Sequence, residues 1–138
     1  MTNGELIRDA LGMLGILAES ETATADQSAH GLRVLNDLLF DWANRGVDLQ
    51  WAAQTSATAT LPINERDVQP VRSALAVALA PFYGVQPNPL TFAAADAGYS
   101  RLLRENISRN MPQSRMDHLP IGEGEWGASG NYDITQGV

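Results

Sequence analysis

The acidic residues offer the first candidates for chemistry. Asp37 and Asp41 stand four positions apart in a stretch with helical spacing, so their carboxylates lie one turn apart on one face of a helix. Paired carboxylates can perform general acid–base catalysis or hold a divalent cation. Such pairs are also common on solvated helix surfaces, and we interpret this pair in that way. The same interpretation applies to two further acidic pairs, Glu5 with Asp9 and Glu19 with Glu21.

The other reactive residue types form no organised site in the sequence. The chain has no cysteine, which excludes a thiol nucleophile, a thiolate metal site and a disulfide framework. Its two histidines, His30 and His118, are far apart, so a histidine metal site has little support. No G-x-S-x-G motif, phosphate-binding loop or dinucleotide fingerprint occurs. We therefore predict no catalytic residue, no metal ligand and no cofactor.

The charge of the chain bears on its partners. All nine basic residues are arginine, and the net charge of −7 argues against binding nucleic acid through a broad basic face. The charge is uneven, with net −6 over residues 1–69, +2 over 70–120 and −3 over 121–138. Such a distribution favours head-to-tail pairing between copies. The N-terminus does not resemble a signal peptide, and the longest apolar stretch is too short to cross a bilayer, so we expect no membrane contact.

The elements that position these residues are organised around residues 32–51. On a helical wheel one side of this stretch is apolar: Leu32, Leu35, Leu38, Leu39, Trp42 and Ala43. Thr24 and Gln27 fit a capping box, so this helix is predicted to run from about Ala25 to Arg45. Gly46 occupies the position of a left-handed C-cap residue. We expect the other helices to pack onto this apolar stripe.

Three further helices are predicted. The first spans about residues 4–14 and is capped by Asn3. The third has Pro70 in its first turn, and its SALAVALA segment has almost no polar face, which indicates burial on nearly all sides. Pro81 and Gly84 end it, and the fourth helix begins at Pro89 and reaches about Asn110. The sequence therefore predicts a mainly α fold, a small bundle of about four helices over residues 1–110 with an extended or irregular excursion at 50–66.

Several side chains are predicted to lie between subunits. Val34 and Phe40 project away from the apolar stripe of the second helix, beside Asp37 and Asp41, and we interpret this outer face as a subunit contact. Arg101 and Arg104 share a face of the fourth helix, where they could pair with the acidic half of a neighbouring copy.

Residues 111–138 are predicted to form an extended C-terminal arm. They include two prolines and five glycines and have no helical period, so they are not expected to fold alone. Apolar residues are nevertheless spaced along them: Leu119, Ile121, Trp126, Tyr132 and Ile134. This pattern fits either a disordered terminus or a strap that orders on a partner.

The order of these parts resembles one protein family. The segments GELIRDALGMLGIL, LRVLNDLLFDWANRGVDL, SALAVALAPFYG, AGYSRLLREN and LPIGEG are together similar to the head-completion adaptors of short-tailed phages, also called tail accessory factors or packaged-DNA stabilisation proteins. The resemblance covers about residues 4–49 and 71–124. The LAPFYG segment and the D-W-x-x-x-G-x-x-L pattern are its best motifs.

The resemblance implies a structural role in the virion. Such proteins bind beneath the portal protein as a ring of usually twelve copies, extend the DNA exit channel, retain the packaged genome and support later tail parts such as a nozzle or fibres. It implies a site at the head–tail junction after assembly in the host cytoplasm, with DNA passing through the channel without specific binding. It also implies that Leu119, Pro120, Ile121 and Gly122 contact the portal. We extend that contact to Trp126, Tyr132 and Ile134 from their spacing.

Two other function classes compete with this hypothesis. One is a cell-wall-degrading enzyme that uses acidic residues such as Glu19 or Glu21. The other is a small helical DNA-binding protein, for which only the fourth helix carries enough arginine.

Overall fold

The fold consists of four α-helices in sequence order. The structure is a computed structural model that describes residues 1–110. Its helices are α1 (Asn3–Met13), α2 (Ala25–Asn44), α3 (Glu65–Tyr83) and α4 (Pro89–Asn110). No strand forms within these residues, where the only β-type pairing is an isolated antiparallel bridge between Thr2 and Thr60. The prediction of a mainly α bundle of four helices is confirmed.

Helix α3 is the centre of the bundle. It packs against α1, α2 and α4, and buried residues surround most of its circumference, as the apolar SALAVALA segment predicted. The expectation that α2 would be the central helix is therefore wrong, because α3 has no polar face to leave in solvent whereas α2 has one. The largest fully buried leucine and isoleucine side chains come from three helices: Leu6, Ile7, Leu11, Leu35, Leu39, Leu75 and Leu79.

Capping boxes begin the first two helices. At α2 the Thr24 hydroxyl accepts from the Gln27 backbone N–H (3.2 Å), and the Gln27 side chain accepts from the Thr24 N–H (2.9 Å), as predicted. At α1 the cap is Thr2, paired with Glu5, and not Asn3. The hydrogen bond donated by the Thr2 N–H lowers the pKa of the Glu5 carboxyl.

Helix α3 begins earlier than the sequence predicted. It starts at Glu65, so Pro70 lies inside the helix and not in its first turn. A proline lacks the N–H that would bond to the carbonyl four residues back, here that of Arg66. The Arg101 guanidinium from α4 donates to this carbonyl instead (3.0 Å). Gly98 makes this approach possible, since a Cβ there would lie 2.7 Å from the Pro70 Cβ.

The connection between α2 and α3 is irregular but firmly held. Asn36 Oδ1 accepts from the Trp51 indole N–H (3.0 Å) and the Gln54 backbone N–H (2.9 Å), and Asn36 Nδ2 donates to the Gln54 carbonyl (2.9 Å). Asn3 is fully buried and donates to the Ser56 carbonyl (2.9 Å). The predicted excursion at 50–66 is thus irregular up to residue 64 and is fixed to α1 and α2 by two amide side chains.

The close contact of α1 and α2 yields a stability prediction. A Cβ at Gly31 would lie inside the van der Waals radius of the Ile7 side chain, which is stiff because it is β-branched. We expect Gly31→Ala to lower the free energy of unfolding by about 1–3 kcal/mol through overpacking. Chemical denaturation followed by far-UV circular dichroism measures the change.

Gly12→Ala is the matched control, because it is the same exchange in a helix where the nearest atom is 4.0 Å away. It should leave the stability unchanged or raise it by up to about 1 kcal/mol, the helix propensity difference. Equal stability of the two variants would contradict the packing described for α1 and α2.

Candidate interaction surfaces

The outer face of α2 presents an aromatic side chain among charges. Phe40 is 43% exposed, although it sits in the middle of a well-packed helix. Asp37 and Asp41 are exposed beside it, and Asp41 forms an ion pair with Arg45 (2.8 Å). An exposed ion pair of this kind contributes little to stability. The face is therefore available to another protein, as the predicted subunit contact requires.

Val34 does not belong to this outer face. Only 9% of its surface is exposed, and it is part of the hydrophobic core of its own chain. The helical wheel placed Val34 outside the apolar stripe of α2 because that stripe was defined mainly by leucines. α1 and α3 both pack on α2, and the buried side of α2 is therefore broader than a single stripe.

The arginines of α4 are engaged within the chain to different degrees. Besides its bond to the Arg66 carbonyl, Arg101 lies 3.6 Å from the Asp67 carboxylate and 3.7 Å from that of Glu105. It thus stabilises the contact of α3 and α4, while 41% of its side chain stays exposed, and its predicted role in a subunit contact stays a prediction. Arg104 is exposed and its Nε donates only one turn back, to the Ser100 carbonyl (3.2 Å). This arrangement leaves no continuous basic face on α4 for a nucleic acid.

A second exposed surface, which we call the α3–α4 apolar end, was missed by the sequence analysis. It consists of Phe82 at the end of α3 with Leu90 and Phe92 at the start of α4, exposed by 64%, 77% and 60%. His30 of α2 packs edge-on against Phe82, with ring centroids 4.7 Å apart. A helical wheel of α4 aligned on the small residues Ala95 and Gly98 would have placed Leu90 and Phe92 outside the core. Exposed aromatic residues of this kind are typical of protein contact surfaces.

The acidic pairs form no reactive site in the structure. Within residues 1–110 there is no group of three or more histidine, cysteine, aspartate or glutamate side chains placed to hold a metal ion. Glu21 has a structural contact, since its carboxylate accepts from the Ala18 backbone N–H (3.1 Å). Glu19 is exposed on the same loop. No observation in the described part of the chain favours the cell-wall hydrolase hypothesis.

The residues predicted to contact the portal lie outside the described residues. They are Leu119, Pro120, Ile121, Gly122, Trp126, Tyr132 and Ile134. None of the four helices in residues 1–110 combines the length and apolarity needed to span a bilayer.

Comparison with known proteins identifies the family. The sequence model of the P22 tail accessory factor family matches residues 1–133, nearly the whole chain. The chain belongs to the P22 tail accessory factor family. No match to an individually curated protein was found. Membership of this family supports a structural role in a phage tail and an association with the virion. The match covers the four-helix body and most of the residues that follow it.

The two sides of α2 yield a second prediction. Phe40 and Leu39 are neighbours in sequence, but Leu39 is fully buried and Phe40 is not. We expect Leu39→Ala to lower the free energy of unfolding by about 2–5 kcal/mol, the usual cost of truncating a core leucine. Phe40→Ala should cost about 1 kcal/mol or less, as for a surface substitution. Urea unfolding of both variants measures the difference, and a Phe40→Ala cost as large as that of Leu39→Ala would show that Phe40 belongs to the core.

Proposed function

We propose that this protein is a head-to-tail adaptor that binds beneath the portal as a ring, extends the DNA exit channel, retains packaged DNA and supports the attachment of tail proteins. The observation that carries the proposal is the family match over residues 1–133. It includes the four-helix body and residues 111–133, which carry most of the spaced apolar residues, in one family pattern. An adaptor needs both parts, a rigid unit that builds a ring and a segment that binds the portal.

The surfaces of the body support the ring. The outer face of α2, with Phe40, Asp37 and Asp41, and the exposed Arg104 of α4 offer apolar contact and opposite charges on different helices. Contacts between different faces of identical subunits generate a closed ring when the rotation between neighbours closes. The proposed ring therefore uses heterologous contacts.

The charge of the chain supports the channel. With net charge −7, a ring of copies repels the phosphate backbone more than it attracts it. DNA that must leave through the ring is then not held by phosphate contacts, whose strength would rise with the number of basic residues. Retention of the genome in this proposal comes from the narrow passage and from the tail parts bound below.

The proposal that the four-helix body builds the ring and the arm binds the portal predicts the effect of removing the arm. A chain lacking residues 112–138 should keep its helical circular dichroism spectrum and cooperative unfolding, because the described core lies within residues 1–110. It should no longer co-sediment with the portal ring of its own phage, since the apolar residues proposed to contact the portal are gone. A chain lacking only residues 135–138 is the matched control and should still bind. Undiminished co-sedimentation of the chain lacking residues 112–138 would overturn the portal-binding role of the arm.

A further prediction concerns the protein without its partner. In this proposal the ordering of the arm is coupled to portal binding, so the portal contributes to the stability of the ring. We therefore expect the isolated 14.9 kDa chain to sediment as a monomer or a weak oligomer at micromolar concentration. Sedimentation velocity with and without portal rings measures this. A stable ring in the absence of portal would contradict portal-dependent assembly.

A further inference from the structure

The exposed face of α2 carries a row of residues whose spacing is symmetric. Successive members are four, three, four, three and four positions apart, the alternation that keeps side chains in one row along a helix. The row consists of Asp26, His30, Arg33, Asp37, Phe40 and Asn44. His30 is half-buried and the other five are exposed. Because the intervals are the same from either end, a second α2 laid antiparallel on the row brings position 33 opposite 37, position 30 opposite 40 and position 26 opposite 44.

The two central residues of the row carry opposite charges. Arg33 and Asp37 are one turn apart on α2, yet within residues 1–110 neither of them forms an ion pair. The arginine precedes the aspartate, which is the less favoured order for an ion pair along one helix. Between antiparallel copies, Arg33 of each chain faces Asp37 of the other, so two ion pairs form. Parallel copies would place like charges opposite each other at both positions, so the charges favour the antiparallel arrangement.

The antiparallel arrangement also covers exposed aromatic side chains on both sides of the charged centre. Phe40, which is 43% exposed, comes opposite His30 of the other copy. The His30 ring packs edge-on against Phe82, which is itself 64% exposed. Phe40 thus meets an existing aromatic pair, where edge-to-face or offset contacts are favourable. One contact therefore accounts for the exposure of Phe40 and for that of Phe82 in the α3–α4 apolar end.

The outermost positions of the row are compatible with the same arrangement. Asp26 comes opposite Asn44, whose side-chain amide can donate a hydrogen bond to the carboxylate. No two like charges in the row face each other. We propose that α2 pairs with α2 of a second copy, antiparallel and about a two-fold axis, so that the free protein forms a weak dimer.

The proposed contact is isologous, since the same surface of both chains takes part in it. It is made mainly by one helix from each copy, so we expect it to bury less than about 1,200 Å² in total, the range of weak and transient contacts. The outer face of α2 also serves in the ring proposed above, so the dimer must separate before a ring closes. That last statement rests on the proposed function, whereas the dimer itself does not.

Sedimentation equilibrium of the isolated full-length chain, without portal, tests the dimer. We expect a reversible equilibrium between monomer and dimer. Arg33→Asp and Asp37→Arg should each raise the dissociation constant by about tenfold or more, because either change replaces both ion pairs across the axis with like charges. Asp96→Arg is the matched control, since it makes the same exchange as Asp37→Arg at an exposed position of α4. It should leave the dissociation constant unchanged.

Combining the two charge reversals tests the arrangement of the helices. The double variant Arg33→Asp with Asp37→Arg restores opposite charges across the axis and should dimerise as the unsubstituted chain does. A mixture of the two single variants should form heterodimers for the same reason. Far-UV circular dichroism checks that each variant keeps its helices.

Three results would overturn the proposal. They are an unsubstituted chain that stays monomeric up to its solubility limit, single reversals that leave the dissociation constant unchanged, and a double variant that does not recover association. All of these measurements are made without portal. Failure of the dimer is therefore distinguishable from failure of the adaptor role, which shows only when portal rings are added.

Discussion

The burial of α3 is the constraint on which the rest of the structure depends. Its central segment has no polar face, so α1, α2 and α4 must cover it on all sides, and each fully buried leucine contributes about 1.5–3 kcal/mol. Complete cover forces the helices close together. Gly31 against Ile7 and Gly98 against Pro70 are the points where a side chain would prevent that approach. The result is a rigid unit whose charged residues are left largely on its outside.

Local signals in the sequence predicted most of this unit, and contacts between helices account for what they missed. The capping box at the start of α2, Gly84 at the end of α3 and Pro89 at the start of α4 are local signals. They involve residues a few positions apart, so the sequence pattern alone identifies them. Pro70 was placed wrongly because its tolerance inside α3 depends on Arg101, which is 31 positions away in sequence and donates to the carbonyl that Pro70 leaves unbonded. Val34 was assigned to a subunit contact for the same reason, since its partners within the core appear only after folding. The exposed Phe40 and the surface carboxylates beside it were visible in the pattern.

The distribution of exposed groups suits a protein that acts through contacts. Phe40 on α2 and the α3–α4 apolar end expose large apolar side chains, and several of the described carboxylates lie in ion pairs at the surface. Because the chain belongs to the P22 tail accessory factor family, these surfaces are those of a protein with a structural role in a phage tail. In the account proposed here the body supplies the repeating unit of the ring, and residues 111–138 bind the portal.

Electron microscopy of portal rings mixed with this protein tests the central claim most directly. The account predicts added density in the form of a ring, coaxial with the portal and attached at the end from which DNA leaves, with a central passage continuous with the portal channel. Portal rings that stay bare at saturating protein, or density attached elsewhere without a coaxial ring, would contradict the adaptor role.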